Sequence, residues 1–367
     1  MDVMQAANAL AARGHDLVRL EIGQPLDPLP DCVARAVSAA LRAGPIGYTE
    51  ALGVPALKAA IAGLYRRRHG VELDPARVAV TAGSSAGFVL AFLAAFEAGA
   101  RVGLGVPGYP AYPAILSALG ITPVPVPLAP AGGYRLGAEE VAGLAGRAEG
   151  VVIANPSNPT GTLIDGPGLG AIARAARGAG LALVVDEIYH GLTYDAPAHS
   201  ILEQTHEAIV VSSFSKYQGL TGWRIGWAIF PERMIRAVEC LAQSLYISPP
   251  GLSQVAALAA LAPEAEAEFD ERVRRFRASR DLLLEALRHA GFTEISPAEG
   301  AFYIYARIPE EAEDAGAFAQ RLMEEGGVAV TPGADFDPVR GSRTVRLSYA
   351  GPPERVAEGA RRLMRWR

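Results

Sequence analysis

Lys216 stands in the stretch Ser213-Phe214-Ser215-Lys216-Tyr217-Gln218-Gly219-Leu220-Thr221-Gly222-Trp223-Arg224-Ile225-Gly226. A lysine amine can form a Schiff base with a carbonyl compound. The hydroxyls around it, and the arginine eight positions on, suit a phosphate, because a guanidinium offers a planar fork of donors. A carbonyl and a phosphate on one ligand suggest pyridoxal 5′-phosphate (PLP). A single lysine near a strand end is more often a solvated surface residue, so the reading depends on what else the chain provides.

Four other places provide it. Asp186 closes the apolar run of LALVVDEIYHGLTY; an acid there is costly unless paired, and ligands of open α/β sheets bind outside the carboxyl ends of the strands. Asn158 lies in Asn-Pro-Ser-Asn-Pro-Thr-Gly after the strand pattern 151–154; alone, that motif signals only a turn. Thr81-Ala-Gly-Ser84-Ser85-Ala86-Gly87 leads from a strand into an Ala-rich helix. Free amides and the helix dipole make such an N-terminus a phosphate seat, although a plain serine cap fits too. Arg346, between Val345 and Leu347 in a late strand, calls for an anion.

Together these residues resemble the class I/II PLP-dependent aminotransferases, enzymes of PLP fold type I. The Lys216 stretch fills the constrained positions of that family's lysine signature. Asn158, Asp186 and Lys216 follow in the family's order. The resemblance implies that Lys216 carries PLP and moves a proton at the substrate α-carbon. It implies that Asp186 faces the pyridine nitrogen, and that Tyr189 and Asn158 bind the ring oxygen. Ser84, Ser85, Ala86, Ser213 and Arg224 would hold the phosphate, and Tyr109 would stack on the ring. Gly23 and Arg346, with Asn158, would bind the substrate α-carboxylate. Tyr48 would reach the phosphate of a neighbouring subunit, which implies a homodimer. Glu187 fits the motif without an assigned role.

These residues need a scaffold of strand ends. Near-continuous apolar runs at 78–81, 101–105, 151–154, 182–186, 209–212 and 225–229 alternate with helical patterns at 55–68, 85–97 and 168–179. That rhythm predicts an α/β domain with a mainly parallel sheet; the resemblance makes it seven-stranded and flanked by helices. Pro123, Pro125 and Pro127 mark a loop or an edge strand. After a long charged helix at 264–287, short alternating strands at 301–307, 328–331 and 345–348 and a helix at 314–325 predict a smaller α+β unit. The expected division is 43–264 as the large PLP-binding domain and 1–42 with 265–367 as the small one.

The other signals exclude more than they suggest. Gly103-Leu-Gly105-Val-Pro-Gly108 matches a dinucleotide fingerprint, but prolines fill the turn and no acid follows at the required distance. A net charge of −5 from 34 basic and 39 acidic residues gives no nucleic-acid footprint. No signal peptide, membrane span or metal motif is read, and two unpatterned cysteines suit a reducing cytoplasm.

The expected activity is transfer of an α-amino group to a 2-oxo acid by a ping-pong route. The donor is expected to be neutral (aliphatic, aromatic or sulfur-bearing), because neither 240–250 nor Gly83–Gly87 offers a cation for a second carboxylate. Tyr246, Phe302 and Tyr303 are candidate pocket residues. The alternatives are a PLP-dependent C–S β-lyase on the same fold and a non-catalytic PLP-binding regulatory domain.

Overall fold

The computed structural model describes residues 2–366. Seven strands form the central sheet, in spatial order Val78–Thr81, Gly226–Ile229, Ile209–Ser213, Ala182–Asp186, Gly150–Ala154, Arg101–Val106 and Thr122–Pro127. Gly226–Ile229 runs antiparallel to both of its neighbours, and the remaining pairs are parallel. The Val/Ile-rich runs become strands because both faces are covered. Along Ala182–Asp186, Leu183 and Val185 join one buried cluster with Leu57, Ile61 and Ile172. Val184, between them, joins the cluster of Phe88, Phe92 and Leu116 on the other face. Helices Pro55–His69, Gly166–Gly178 and Gly251–Ala259 supply the first layer; Gly83–Ala95, Ala111–Ala118 and Ile235–Tyr246 supply the second.

Thr122–Pro127 settles the proline-rich stretch as an edge strand. It pairs only with Arg101–Val106, where prolines lacking a donor are tolerated. Gly103 and Gly105 of that neighbouring strand serve packing. A Cβ on Gly103 would lie 2.4 Å from a Leu144 methyl, and one on Gly105 would lie 2.9 Å from a Leu128 methyl.

A second, antiparallel sheet has the order Thr331–Pro332, Thr344–Ser348, Tyr303–Arg307. The single strand expected at 328–331 is two pieces. Val328–Ala329 pairs in parallel with Val18–Arg19, and Thr331–Pro332 turns to the other sheet. The expected alternation is absent, because Thr344–Ser348 is buried along its whole length. The 27-residue helix Pro263–His289 packs along helix Pro353–Arg365. Among the described residues no helix is long and apolar enough to cross a membrane.

Candidate active site

The parallel strands deliver their carboxyl ends to one edge of the sheet. Thr81, Ala154, Asp186 and Ser213 end four of them, and the chain then turns through Gly83, Asn158, Tyr189 and Lys216. Arg224 enters the same edge from the start of the antiparallel strand. The local sequence makes these turns. Thr221 Oγ1 donates to the Ser215 carbonyl at 2.8 Å, and Gly219 N to the Lys216 carbonyl at 3.2 Å, which closes the loop around the lysine.

Lys216 Nζ donates to the Gly23 carbonyl at 2.8 Å. Gly23 is there because nothing larger fits: a Cβ would lie 2.2 Å from the Tyr303 hydroxyl oxygen. Arg346, 9% exposed, comes from the small sheet to the same strip. Its Nη1 donates to Asn158 Oδ1 and its Nη2 to the Glu21 carbonyl, both at 3.1 Å. Its Nε is buried without a partner. The guanidinium carbon sits 4.3 Å from the Tyr303 ring centre and 4.7 Å from that of Phe336, so two aromatic faces hold the fork in place. Arg343, by contrast, pins the Pro309 and Glu313 carbonyls.

Asp186 is buried, with Oδ1 accepting from Ile188 N at 2.9 Å and Oδ2 from the Tyr112 hydroxyl at 2.5 Å. Burial pushes its carboxyl up to about 6, against the pull of Tyr112, the Ile188 amide and the Lys216 charge. A carboxyl so placed favours a cationic partner. The Tyr189 hydroxyl donates to the Tyr303 hydroxyl at 3.1 Å. Tyr109, partly exposed, packs edge-on to Tyr112 with ring centres 5.3 Å apart.

The candidate phosphate seat is built from three pieces. Helix Gly83–Ala95 starts from Ala82, which has no polar side chain to cap it, and the neighbouring Thr81 Oγ1 is spent on the Gly83 carbonyl. Its first amides, at Gly83, Ser84, Ser85 and Ala86, therefore lack helical partners. Arg224 adopts a left-handed backbone, φ 51°, costing about 1–2 kcal/mol, and this brings its guanidinium onto the helix start. A Cβ on Gly83 would lie 2.4 Å from Arg224 Nη2. Arg224 Nη1 donates to the Thr221 carbonyl at 3.0 Å. Ser213 closes the third side, since a Cβ on Gly226 would touch both Ser213 Cβ and the Gly83 carbonyl carbon. These donors fit a phosphate, the buried Asp186 fits a pyridine nitrogen, and Lys216 fits the carbonyl.

Two expected positions lie apart from this group. Tyr48 is 84% exposed, and Tyr246 packs half-buried against the Phe88 cluster. Phe302 lies beneath the site, its ring 5.7 Å from Lys216 Nζ. The sequence reading missed Tyr112 as a partner of Asp186. Its spacing, three residues after Tyr109 at a helix start, was the available signal.

The family model described as "Aminotransferase class I and II" matches residues 15–363. The valine–pyruvate aminotransferase of Mycobacterium tuberculosis is 46% identical over 100% of this chain and 95% of its own length. The aspartate/prephenate aminotransferase of Thermus thermophilus is 34% identical, over 97% of this chain and 92% of its own. The crystal structure of an aminotransferase from Mycobacterium tuberculosis superposes with a TM-score of 0.96 at 45% identity, covering 100% of this chain and 95% of that one. The chain belongs to the class I and II aminotransferases. It is a PLP-dependent enzyme of fold type I that transfers an amino group between an amino acid and a 2-oxo acid.

Proposed function

We propose that this enzyme takes its amino group from a neutral, valine-like amino acid and passes it to a small 2-oxo acid such as pyruvate. The observation that carries the reading is the strip Glu21–Gly23. Lys216 lies on the Gly23 carbonyl and Arg346 on the Glu21 carbonyl. An amine carrier and a carboxylate fork therefore sit side by side, as an α-amino acid requires. Arg135, the other arginine close to Asn158, is spent on Glu299 through two bonds of 2.6 and 2.8 Å. A side-chain carboxylate would find no free cation there and would be costly. The name of the 46%-identical relative, valine–pyruvate aminotransferase, supports the same choice.

In this reading PLP, when bound, supplies a carbonyl that condenses with amines and a ring that accepts electron density. The chain does the rest. Ser84, Ser85, Ala86, Ser213 and Arg224 hold the phosphate. Asp186, positioned by Tyr112, holds a proton on the ring nitrogen, and Tyr189 and Asn158 hydrogen-bond the ring oxygen. Tyr109 covers the ring. Arg346 uses its unpartnered Nε, and a donor now spent on the protein, to grip the substrate carboxylate. Lys216, once its amine is free, takes the proton from the α-carbon and delivers it on the cofactor side. Holding a base beside that carbon makes the transfer effectively unimolecular.

We also infer a homodimer in which Tyr48 reaches the partner's phosphate seat, and a division into 43–264 and 1–42 with 265–367. The test of substrate is absorbance of the holoenzyme. Valine is expected to convert the cofactor spectrum to its amine form and pyruvate to restore it. Comparable conversion by aspartate would overturn the neutral-donor reading, and release of pyruvate, ammonia and a thiol from a cysteine thioether without an acceptor would indicate a lyase.

A further inference from the structure

The turn after Asp186 carries titratable groups that the transfer reaction does not use. His190 Nδ1 lies 3.3 Å from His69 Nε2, and His69 Nδ1 lies 3.1 Å from Glu203 Oε1. The other Glu203 oxygen lies 2.8 Å from His199 Nδ1. Side-chain exposure rises along this line, from 10% at His190 and 7% at His69 to 19% at Glu203 and 39% at His199. The four residues come from helix Pro55–His69, the turn after Asp186 and the segment that enters the short helix Ile201–Glu203. A connected line of ring nitrogens and carboxylate oxygens thus runs from the core to solvent.

The direction of its hydrogen bonds follows from the carboxylate. Glu203 accepts, so His69 donates from Nδ1 and accepts at Nε2, and His190 then donates from Nδ1. His190 Nε2 is left an acceptor, buried and making no hydrogen bond, while the Asn155 backbone beside the ring favours its charged form. His190 also lines a cavity of about 20 Å³ with Arg68, His69, Ser212, Ser213 and Gln218, room for one water with polar neighbours. Adding one proton reverses the line. A cationic His69 donates from both nitrogens, and His190 accepts at Nδ1 and carries its hydrogen on Nε2.

We propose that His190, His69, Glu203 and His199, with one water in the cavity against Ser213, form a single-proton relay between the cofactor-phosphate seat and solvent, so that the hold on the phosphate depends on the relay's protonation. The inference rests on the reading of Ser213 as a phosphate ligand. The proton enters from the cavity water at His190 Nε2, the hydrogen on His190 Nδ1 passes to His69 Nε2, and Glu203, bonded to His199, holds the resulting cation; no other bond is made or broken. Burial holds both inner histidines below the usual imidazole range, while Glu203 pulls His69 up. The other charged or titratable groups facing the relay are Arg68, Tyr65 and Glu187. Arg68 is ion-paired with Glu266 and lies over the Tyr217 ring. The Tyr65 ring packs on His69, and Glu187 Oε2 lies 3.6 Å from His190 Nδ1.

A protonated relay places positive charge behind an anionic phosphate, so each favours the other, and by linkage the effect is reciprocal. The test is the dissociation constant of PLP for the cofactor-free full chain, measured from pH 8 to pH 5. The wild type is expected to gain affinity about 3- to 10-fold more than His69→Gln over that range, equivalent to a shift of about half to one unit in the relay. If His69→Gln does not fold, His190→Asn makes the same comparison. Parallel curves would overturn the relay. Ser213→Ala separates this from the underlying reading: weakened binding at every pH upholds Ser213 as a phosphate ligand, whereas wild-type affinity in that variant overturns it.

Discussion

Asp186 is a carboxyl that the fold makes expensive to ionise. Its value is raised from 3.8 to about 6, chiefly by burial. The folded chain therefore binds a proton there more tightly than the unfolded chain does. The stability this contributes is full below about 3.8 and is lost as pH rises through about 6. A cationic ring nitrogen offsets that loss. Asp186 is therefore expected to contribute more to the rise in Tm on adding PLP near pH 7.5 than near pH 5. The difference should shrink in Asp186→Asn, and an unchanged difference would contradict the assignment. At Arg346 the fork is held by Asn158, the Glu21 carbonyl and two rings. Arg346→Lys keeps the charge and loses the second bond. Steady-state kinetics should show KM for the amino acid rising about 30- to 150-fold, from about 2–3 kcal/mol of charged hydrogen bonding, with a smaller change in kcat.

At the scale of elements, the site depends on strand ends and one uncapped helix. Gly83 (φ 79°) admits the Arg224 guanidinium where any side chain would collide with it. Gly83→Ala is expected to weaken PLP binding by about tenfold or more through displacement of Arg224, and separately to cost roughly 1–2 kcal/mol of fold stability in backbone strain; an unchanged dissociation constant would remove Arg224 from the phosphate seat. Most of these elements were legible in sequence. Apolar β-branched runs give fully buried strands, and the motif residues sit at their ends. The rest depends on contacts between distant segments. Tyr112 meets Asp186 across 74 positions, and His69 meets His190 across 121. Thr331 changes sheet because it pairs with Arg346, and the local pattern shows both segments without showing which one pairs with the other. The proline strand was ambiguous because proline permits an edge strand or a loop equally.

At the scale of the whole molecule, Ile46, Tyr48, Leu245 and Ile247 all expose roughly half or more of their surface, and the sequence between 44 and 50 offers no core for Tyr48 to join. A second copy covering this surface would explain it. Light scattering is expected to give about twice the 38.4 kDa chain mass. Tyr48→Phe should lower PLP affinity severalfold without changing that mass; a monomer with full PLP affinity would contradict the shared site. The claim beneath all of this is that Lys216 holds the cofactor, and the chain makes the test simple, because Lys58 is its only other lysine. Borohydride reduction of the holoenzyme followed by peptide mass analysis should find the phosphopyridoxyl group on the peptide containing Lys216 and none on that containing Lys58. The group on Lys58, or on neither peptide, would contradict the account.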